Sequence, residues 1–456
     1  MSTIRRPTPT RPLMATRLAA AAFLLASAVV AWVTITMPLA ARALQLGIAL
    51  SMAYVAWLAW RGSSVLRRAL EDARSGSGEP TGLAGDLPFV SLIVPARNEA
   101  SVIDDTVRSL VALSYHRGPA PQYEVLVVDD GSHDATGDVA REASASEAAP
   151  IQVRRREPGS GPATKGAVLA FAMPFLSGDV VGVIDADTRV GPAFLERAMR
   201  AWLRDPSADA LQVARVPRNA SDSWLTRAQA EEQLMDMASQ CGRWVTDGTA
   251  ELRGNGMFVR RAALEASGGW SERALTEDLE LSTRLSAYGR HVTLAPEAEV
   301  GEEAVETLGA LWWQRLRWAE GSLRRLLEHG PGLLAGSQSI SRKADFLAFT
   351  GEFLIPPLFV ATIVASLVTI PLPRPVDWTV PLSLFIGYGL GVFLLGLGGL
   401  GAVGERGMTL VVRAMRGALF LSHWLVVVPV ALVRIAFGPE RGGFVQTPRA
   451  ARRPGS

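Results

Sequence analysis

Apolar residues gather at the two ends of this chain. Ala19 to Met37 and Leu44 to Trp60 are apolar runs near the start, and Phe346 to Ile370, Leu382 to Val403 and Ala418 to Phe437 follow near the end. About 20 such residues cross a bilayer as a helix, so the ends predict membrane spans. Between them the pattern changes to short β-branched runs, each closed by a polar turn and followed by a helix-forming stretch. Phe89 to Val94, Tyr123 to Val128, Ile151 to Arg154 and Val180 to Thr188 read as strands. Helices are expected near Ser101–Asp104, from Asp134 to Ser144, from Lys165 through Phe175 and from Thr276 through Leu285. That alternation predicts an α/β domain with a mostly parallel sheet.

The strands end in acids. Val180 to Ile184 runs into Asp185-Ala186-Asp187, the first strand into Pro95-Ala96-Arg97-Asn98-Glu99, and Tyr123 to Val128 into Asp129-Asp130-Gly131-Ser132. Ligands of open α/β sheets bind beyond the carboxyl ends of the strands, so the three ends describe one polar rim. Asp185 and Asp187 share a face of an extended chain and suit a hard metal that carries a phosphorylated ligand. The Asp129/Asp130 pair suits a ribose or a base, although Asp-Asp-Gly is equally the composition of a turn. Lys165 suits a phosphate. Leu252 to Val259 has glycines where backbone approaches a ligand, then a strand. In Thr276-Glu277-Asp278, Thr276 is placed to cap a helix whose dipole favours the acids that follow, and Asp278 is equally placed to act as a general base. Trp312-Trp313-Gln314-Arg315-Leu316-Arg317-Trp318 fits either an interfacial helix or a sugar-stacking platform, with Arg317 on a diphosphate.

Composition narrows the classes. With 456 residues and a net charge of +2 there is no basic, aromatic-interleaved stripe, so nucleic acid is not an expected partner. One cysteine, Cys241, excludes an internal disulfide framework, and the five histidines are too scattered for a zinc site. No Gly-x-Gly-x-x-Gly follows the first strand, which excludes a Rossmann dehydrogenase. Spans nearly free of ionisable residues argue against a transporter. Arg5 and Arg6 before the first span, with Arg61, Arg67 and Arg68 after the second, place both flanks on the cytoplasmic side.

These motifs resemble the family 2 inverting glycosyltransferases with the GT-A fold, in particular the membrane-embedded branch of cellulose, hyaluronan and poly-N-acetylglucosamine synthases. Pro95 to Glu99, Asp129 to Ser132, Asp185 to Asp187, Thr276 to Asp278 and Gln314 to Trp318 stand in the family's order, over roughly Phe89 to Gly321. The resemblance implies that Glu99, Asp129 and Asp130 line the uridine site, that Lys165 and Arg317 meet the diphosphate, and that Asp185 contacts the nucleotide. Asp187, with Asp185, would hold Mg²⁺ or Mn²⁺, Asp278 would be the catalytic base, and Glu277, Gln314 and Trp318 would lie at the acceptor. Ala170 stands where the family often has asparagine, and Thr188 follows the Asp-x-Asp, so no histidine is assigned to the metal.

The expected organisation is a tail over 1–13, two spans over 14–60, a linker over 61–88 and a cytoplasmic GT-A domain over 89–321. An interfacial amphipathic helix over 322–345, spans over 346–437 and a basic tail over 438–456 complete it. Phe444 to Arg449 resembles a gating loop of cellulose synthases, yet three C-terminal spans would put it on the far side of the membrane. Either one segment is re-entrant or interfacial, or Met408 to Phe437 crosses twice, or the match is accidental. The leading expectation is a protein of a bacterial-type inner membrane that adds sugar from a nucleotide-sugar donor, UDP-linked, to a growing β-linked glycan, with an accessory export subunit as a further partner. Transfer of one sugar to a lipid, a polyprenyl phosphate or a ceramide-like acceptor, is the alternative. A nucleotide-sugar sensor or partner subunit is the non-enzyme reading.

Overall fold

The computed structural model describes residues 13–75, 87–145, 150–336, 338–371 and 378–439. The predicted gating motif, residues 76–86 of the expected linker and nearly all of both tails lie outside them, while residues 61–75, expected as linker, are helical. The chain enters through α1 (Leu13–Thr36) and α2 (Pro38–Ser75), then builds a seven-stranded sheet. Its strands are β1 (Val90–Ala96), β4 (Tyr123–Asp129), β5 (Ile151–Arg155), β6 (Val180–Val183), β7 (Ala210–Pro217), β8 (Met257–Arg260) and β9 (Val292–Glu302). A small hairpin, β2 (His116–Arg117) with β3 (Ala120–Pro121), stands apart. The spatial order is β5-β4-β1-β6-β8-β7-β9, parallel throughout except for β8, which runs against both β6 and β7. The parallel strands therefore end on one edge, and β8 begins on it.

Alternation along the buried strands sorts their side chains to two faces. Leu92 and Val94 of β1, with Val125 and Val127 of β4, pack under α3 (Ile103–Val111), α4 (Thr136–Ala143) and α6 (Phe194–Leu203). Ile93, Leu126 and Val128 pack under α5 (Lys165–Ala172), α8 (Arg261–Ala266) and α9 (Glu277–Ala287). Each fully buried large aliphatic contributes about 1.5–3 kcal/mol over an exposed one. The remaining helices are α7 (Trp224–Val245), α10 (Leu308–Ala335), α11 (Ile340–Val368), α12 (Thr379–Ala402), α13 (Gly407–Leu421) and α14 (Trp424–Phe437).

Among the described residues five stretches are long and apolar enough to cross a membrane: 14–36, 38–71, 340–368, 379–402 and 407–437. α1 packs against α11 and α14, while α2 packs against α12 and α7. The last stretch is divided at Ser422–His423 into α13 and α14, of 15 and 14 residues. At 1.5 Å per residue each is about 21–22 Å long, short of the ~30 Å hydrocarbon core, so Met408 to Phe437 does not cross twice. After α14 the chain comes back to the start of α1, where Arg17 Nη2 donates to the Gly438 carbonyl at 2.8 Å.

Another expectation is corrected. Residues 322–335 do not form a separate surface helix with its arginines turned outward: they continue α10, and Arg325 is buried against Glu251, with Nη1 to Oε1 at 2.6 Å. A carboxylate across the interface holds the guanidinium inside. Thr276 also does not cap α9 through its side chain. It lies instead where a Cβ on Gly321 of α10 would come, 2.4 Å from its Oγ1.

The joint between α2 and the sheet domain is closer still. A Cβ on Gly62 would lie 1.8 Å from the Ala238 carbonyl oxygen of α7. Gly62→Ala should therefore force α2 off α7 and destabilise the protein by about 1–3 kcal/mol, as overpacking does. A lower melting temperature of the detergent-solubilised chain is the expected readout.

Candidate active site

The common strand edge forms one wall of a cavity of about 2110 Å³. Glu99 and Asp130 follow β1 and β4, Asp185 and Asp187 follow β6, Lys165 opens α5, Asp278 lies in the first turn of α9, and Gln314, Arg317 and Trp318 lie on α10; all line it. Asp129 does not. Its carboxylate accepts from the Ser132 amide at 2.9 Å and from Arg155 Nη1 at 2.9 Å, and only 1% of the residue is exposed. Adjacent extended residues point to opposite sides, so one aspartate of the pair braces the turn and the other faces the cleft. Asp130 is paired with Arg156 at 2.5 Å, with Arg97 at 3.6 Å.

Lys165 ties the centre together. Its Nζ donates to Asp185 Oδ1 at 2.6 Å and to the Gly254 carbonyl at 3.2 Å, and Glu277 Oε1 lies at 3.4 Å. Burial alone would lower the affinity of Lys165 for its proton, but Asp185 and Glu277 outweigh it and hold the amine charged above its ordinary range. Burial pushes Glu277 up to about 7, with Lys165 opposing and the Asp278 carboxylate adding to the rise. Gly254, at φ +81°, is what lets the loop come so close, because a Cβ there would sit 3.0 Å from Asp278 Oδ2 and 3.7 Å from Lys165 Nζ. Thr164 fixes the start of α5 by accepting from the Ala167 amide at 3.2 Å.

Asn255 holds the acidic turn. Its Oδ1 accepts from the Asp185 amide at 3.1 Å, and its Nδ2 donates to Thr188 Oγ1 at 2.9 Å and to Glu302 Oε2 at 3.3 Å. Glu302 at the end of β9 is clamped in turn by Arg215 of β7, with contacts of 2.9 and 2.8 Å. These supports are missing from the sequence reading, since the partners stand 47 to 87 positions apart; only the glycines beside Asn255 mark the loop as unusual.

Asp185 and Asp187 supply the hard oxygen donors. Among the described residues no group of three or more His, Cys, Asp or Glu side chains converges to hold an ion unaided. That donor set fits Mg²⁺ or Mn²⁺ riding on a diphosphate, because such ions are commonly held by one or two carboxylates together with phosphate oxygens and water.

Away from the acids, the same cavity continues between α2, α11, α12 and α14, where Ile48, Met52, Phe349, Leu358, Leu384 and Val428 line it. A buried ionic network runs along the wall of this cavity. Glu251 receives Arg325 at 2.6 Å and Arg253 at 2.8 Å, with Arg243 at 3.5 Å. Arg253 also grips Asp236 at 2.8 and 2.9 Å, and Arg243 reaches Asp345 at 3.1 Å, which accepts from Tyr54 of α2 at 2.8 Å. Burial would raise Glu251, but Arg325, Arg243 and Arg253 together hold it far below the usual carboxylate range. Arg315 pairs with Glu232 and lies 4.2 Å over the Trp318 ring, which fixes that indole at the cleft. Cys241 is the packed thiol expected, fully buried and pushed up to about 12 by desolvation.

A mixed sheet with an acidic carboxyl edge, a shared lysine and a carboxylate opposite them defines the GT-A class of nucleotide-sugar transferases. The family profile described as "Glycosyltransferase like family 2" matches residues 88–321. The β-monoglucosyldiacylglycerol synthase of Synechocystis sp. is 34% identical over 412 residues, covering 87% of this chain and 83% of its own length. The poly-β-1,6-N-acetyl-D-glucosamine synthase of Staphylococcus epidermidis is 25% identical and covers 52% of this chain and 55% of its own. Among solved structures, a mannosyltransferase from Pyrobaculum calidifontis in complex with GDP-Man and Mn²⁺ superposes with a TM-score of 0.54 at 19% identity, covering 86% of this chain and all of that one. This chain belongs to glycosyltransferase family 2 and is an inverting enzyme of it, with the GT-A fold.

Glu277 supplies a pH test. Ionisation of Glu277 adds negative charge beside Lys165, so an anionic nucleotide-sugar donor should bind better to the protonated form. The KM for donor should rise as pH passes upward through about 7, and Glu277→Gln should flatten that rise. Steady-state kinetics across the neutral range check it.

Proposed function

We propose that the protein transfers one hexose from a UDP-linked donor to the free hydroxyl of a neutral membrane lipid of the diacylglycerol type. The observation that carries this reading is the continuity of the cavity from Asp278 into an apolar groove between α2, α11, α12 and α14. A lipid can lay its chains in that groove and present its hydroxyl at the acidic rim. The name of the Synechocystis relative supports the same acceptor.

Charge supports a neutral acceptor over a polyprenyl phosphate. Along the wall, Arg215, Arg243, Arg253, Arg315 and Arg325 are matched by Glu302, Asp345, Asp236, Glu232 and Glu251. A second phosphate would find each of these guanidiniums already paired with a carboxylate, and desolvating an unpaired anion is costly. The growing-glycan acceptor expected first from the sequence takes second place, because its support is the more distant relative.

In this scheme Glu99 and Asp130 face the nucleoside, and Lys165 and Arg317 face the diphosphate. A divalent ion at Asp185 and Asp187 supplies Lewis-acid stabilisation of the departing nucleoside diphosphate when bound. Asp278 accepts the proton of the acceptor hydroxyl as its oxygen attacks the anomeric carbon. The bond from that carbon to the diphosphate breaks on the opposite side, which inverts the centre. Trp318 and Gln314 orient the acceptor, and the apolar groove excludes water that would otherwise compete.

Purified chain in lipid nanodiscs, supplied with UDP-sugars, a divalent ion and either a diacylglycerol or a polyprenyl phosphate, tests the proposal. Glycosylated diacylglycerol is the expected product, and Asp278→Asn should lower its rate about 10²–10⁴-fold, the usual contribution of a general base. A polymer, or glycosylation of the polyprenyl phosphate alone, would sink the reading.

A further inference from the structure

The outer face of α13 shows a feature that the transfer reaction does not use. Met408, Val411, Val412, Met415 and Leu419 recur at helical spacing and are all exposed, while Ala414 and Ala418 on the other face pack against Met235 of α7. Between α13 and the first half of α7 lies a recess of about 660 Å³, lined by Arg227, Arg413, Arg416, Thr409, Met408 and Val412 among others. None of the residues lining it lines the reaction cavity.

Its charge is unbalanced. Glu231, with no exposed surface, accepts from Arg413 Nε at 2.8 Å and from Arg416 Nε at 2.8 Å. Arg413 also meets Glu405. Arg227 donates to the Ser221 carbonyl at 3.4 Å and, among the described residues, forms no ion pair. Three guanidiniums thus stand against two carboxylates, and the carboxylate between them is covered while the guanidiniums reach the surface.

The depth of the site follows from its neighbours. α13 starts directly after α12, a candidate span, and runs back along it, with Ala414 against Gly396. Trp224, exposed at the start of α7, stands one turn before Arg227. Arginine and tryptophan beside an exposed apolar stripe are the composition of a helix lying at headgroup level.

We propose that this recess binds an anionic phospholipid, its phosphate on Arg227, Arg413 and Arg416 with Thr409 as a further donor, and its first acyl carbons on Met408 and Val412. Guanidinium forks match phosphate oxygens, and the apolar stripe continues into the bilayer that covers it. The β7–α7 connection forms a wall on both sides: Ala220 and Ser221 face the recess, while Asn219 and Asp222 face the reaction cavity. An occupied recess therefore steadies one wall of the active site.

The full chain in detergent, offered phosphatidylglycerol or phosphatidylcholine and read by native mass spectrometry, tests binding without relying on transfer. Wild type should retain phosphatidylglycerol over phosphatidylcholine. Arg227→Gln, which leaves the Glu231 ion pairs intact, should retain about fivefold less, the usual effect of one basic residue at an anionic surface, and Arg227→Lys should retain most of it. In vesicles of three parts phosphatidylcholine to one part phosphatidylglycerol, transfer at fixed acceptor content should exceed that in phosphatidylcholine alone, and Arg227→Gln should lose most of the gain. Equal retention of both lipids by wild type, or an Arg227→Gln protein that matches it, overturns the proposal. So does complete displacement of the lipid by inorganic phosphate, which would mark a simple anion site.

Discussion

The carboxylate of Glu251 is the point on which domain and helices depend. Three arginines from different parts of the chain meet it: Arg325 from α10, Arg253 from the loop that carries Gly254, and Arg243 from α7. Through Arg243 and Asp345 the same network reaches α11, and through Tyr54 it reaches α2. Such a cluster is a poor source of net stability, because desolvation offsets much of the attraction. Its effect is geometric. Removing one partner leaves a buried charge uncompensated, so the loop beside Lys165 cannot shift independently of the helices around the groove.

The sequence was most readable where chemistry is contiguous. Asp185 with Asp187, Thr276 to Asp278 and Gln314 to Trp318 each sit on one short segment, and the strand rhythm brings those segments to one edge. The parallel sheet was legible for the same reason, since each strand carries its own run of β-branched residues and its own polar stop. The antiparallel β8 was not, because the pairing of Val181 with Val259 depends on partners far apart in the chain.

Side-chain direction and distant partners were the main losses. Whether Asp129 or Asp130 faces the cleft is decided by the last turn of the strand, which spacing alone does not fix. Asn255, Arg215 and Glu302 look like ordinary polar residues until the fold brings β7, β8 and β9 together. Arg325 reads as half of a basic surface pair until Glu251 appears opposite. The break at Ser422–His423 is two weakly polar residues in an apolar run, too weak a signal to divide that run into two helices.

With the membrane-lipid acceptor proposed above, the groove between α2, α11, α12 and α14 also changes the units in which this enzyme meets its substrate. An acceptor arriving from water is counted per volume; one that slides in between spans is counted per area of lipid sheet. Saturation then depends on the fraction of the leaflet that is acceptor, and dilution of the cell interior leaves it untouched. On that reading the product, with the same chains and a larger head, would compete for the same lateral path. The ratio of glycosylated to bare lipid in the surrounding leaflet would thereby become a brake on further turnover.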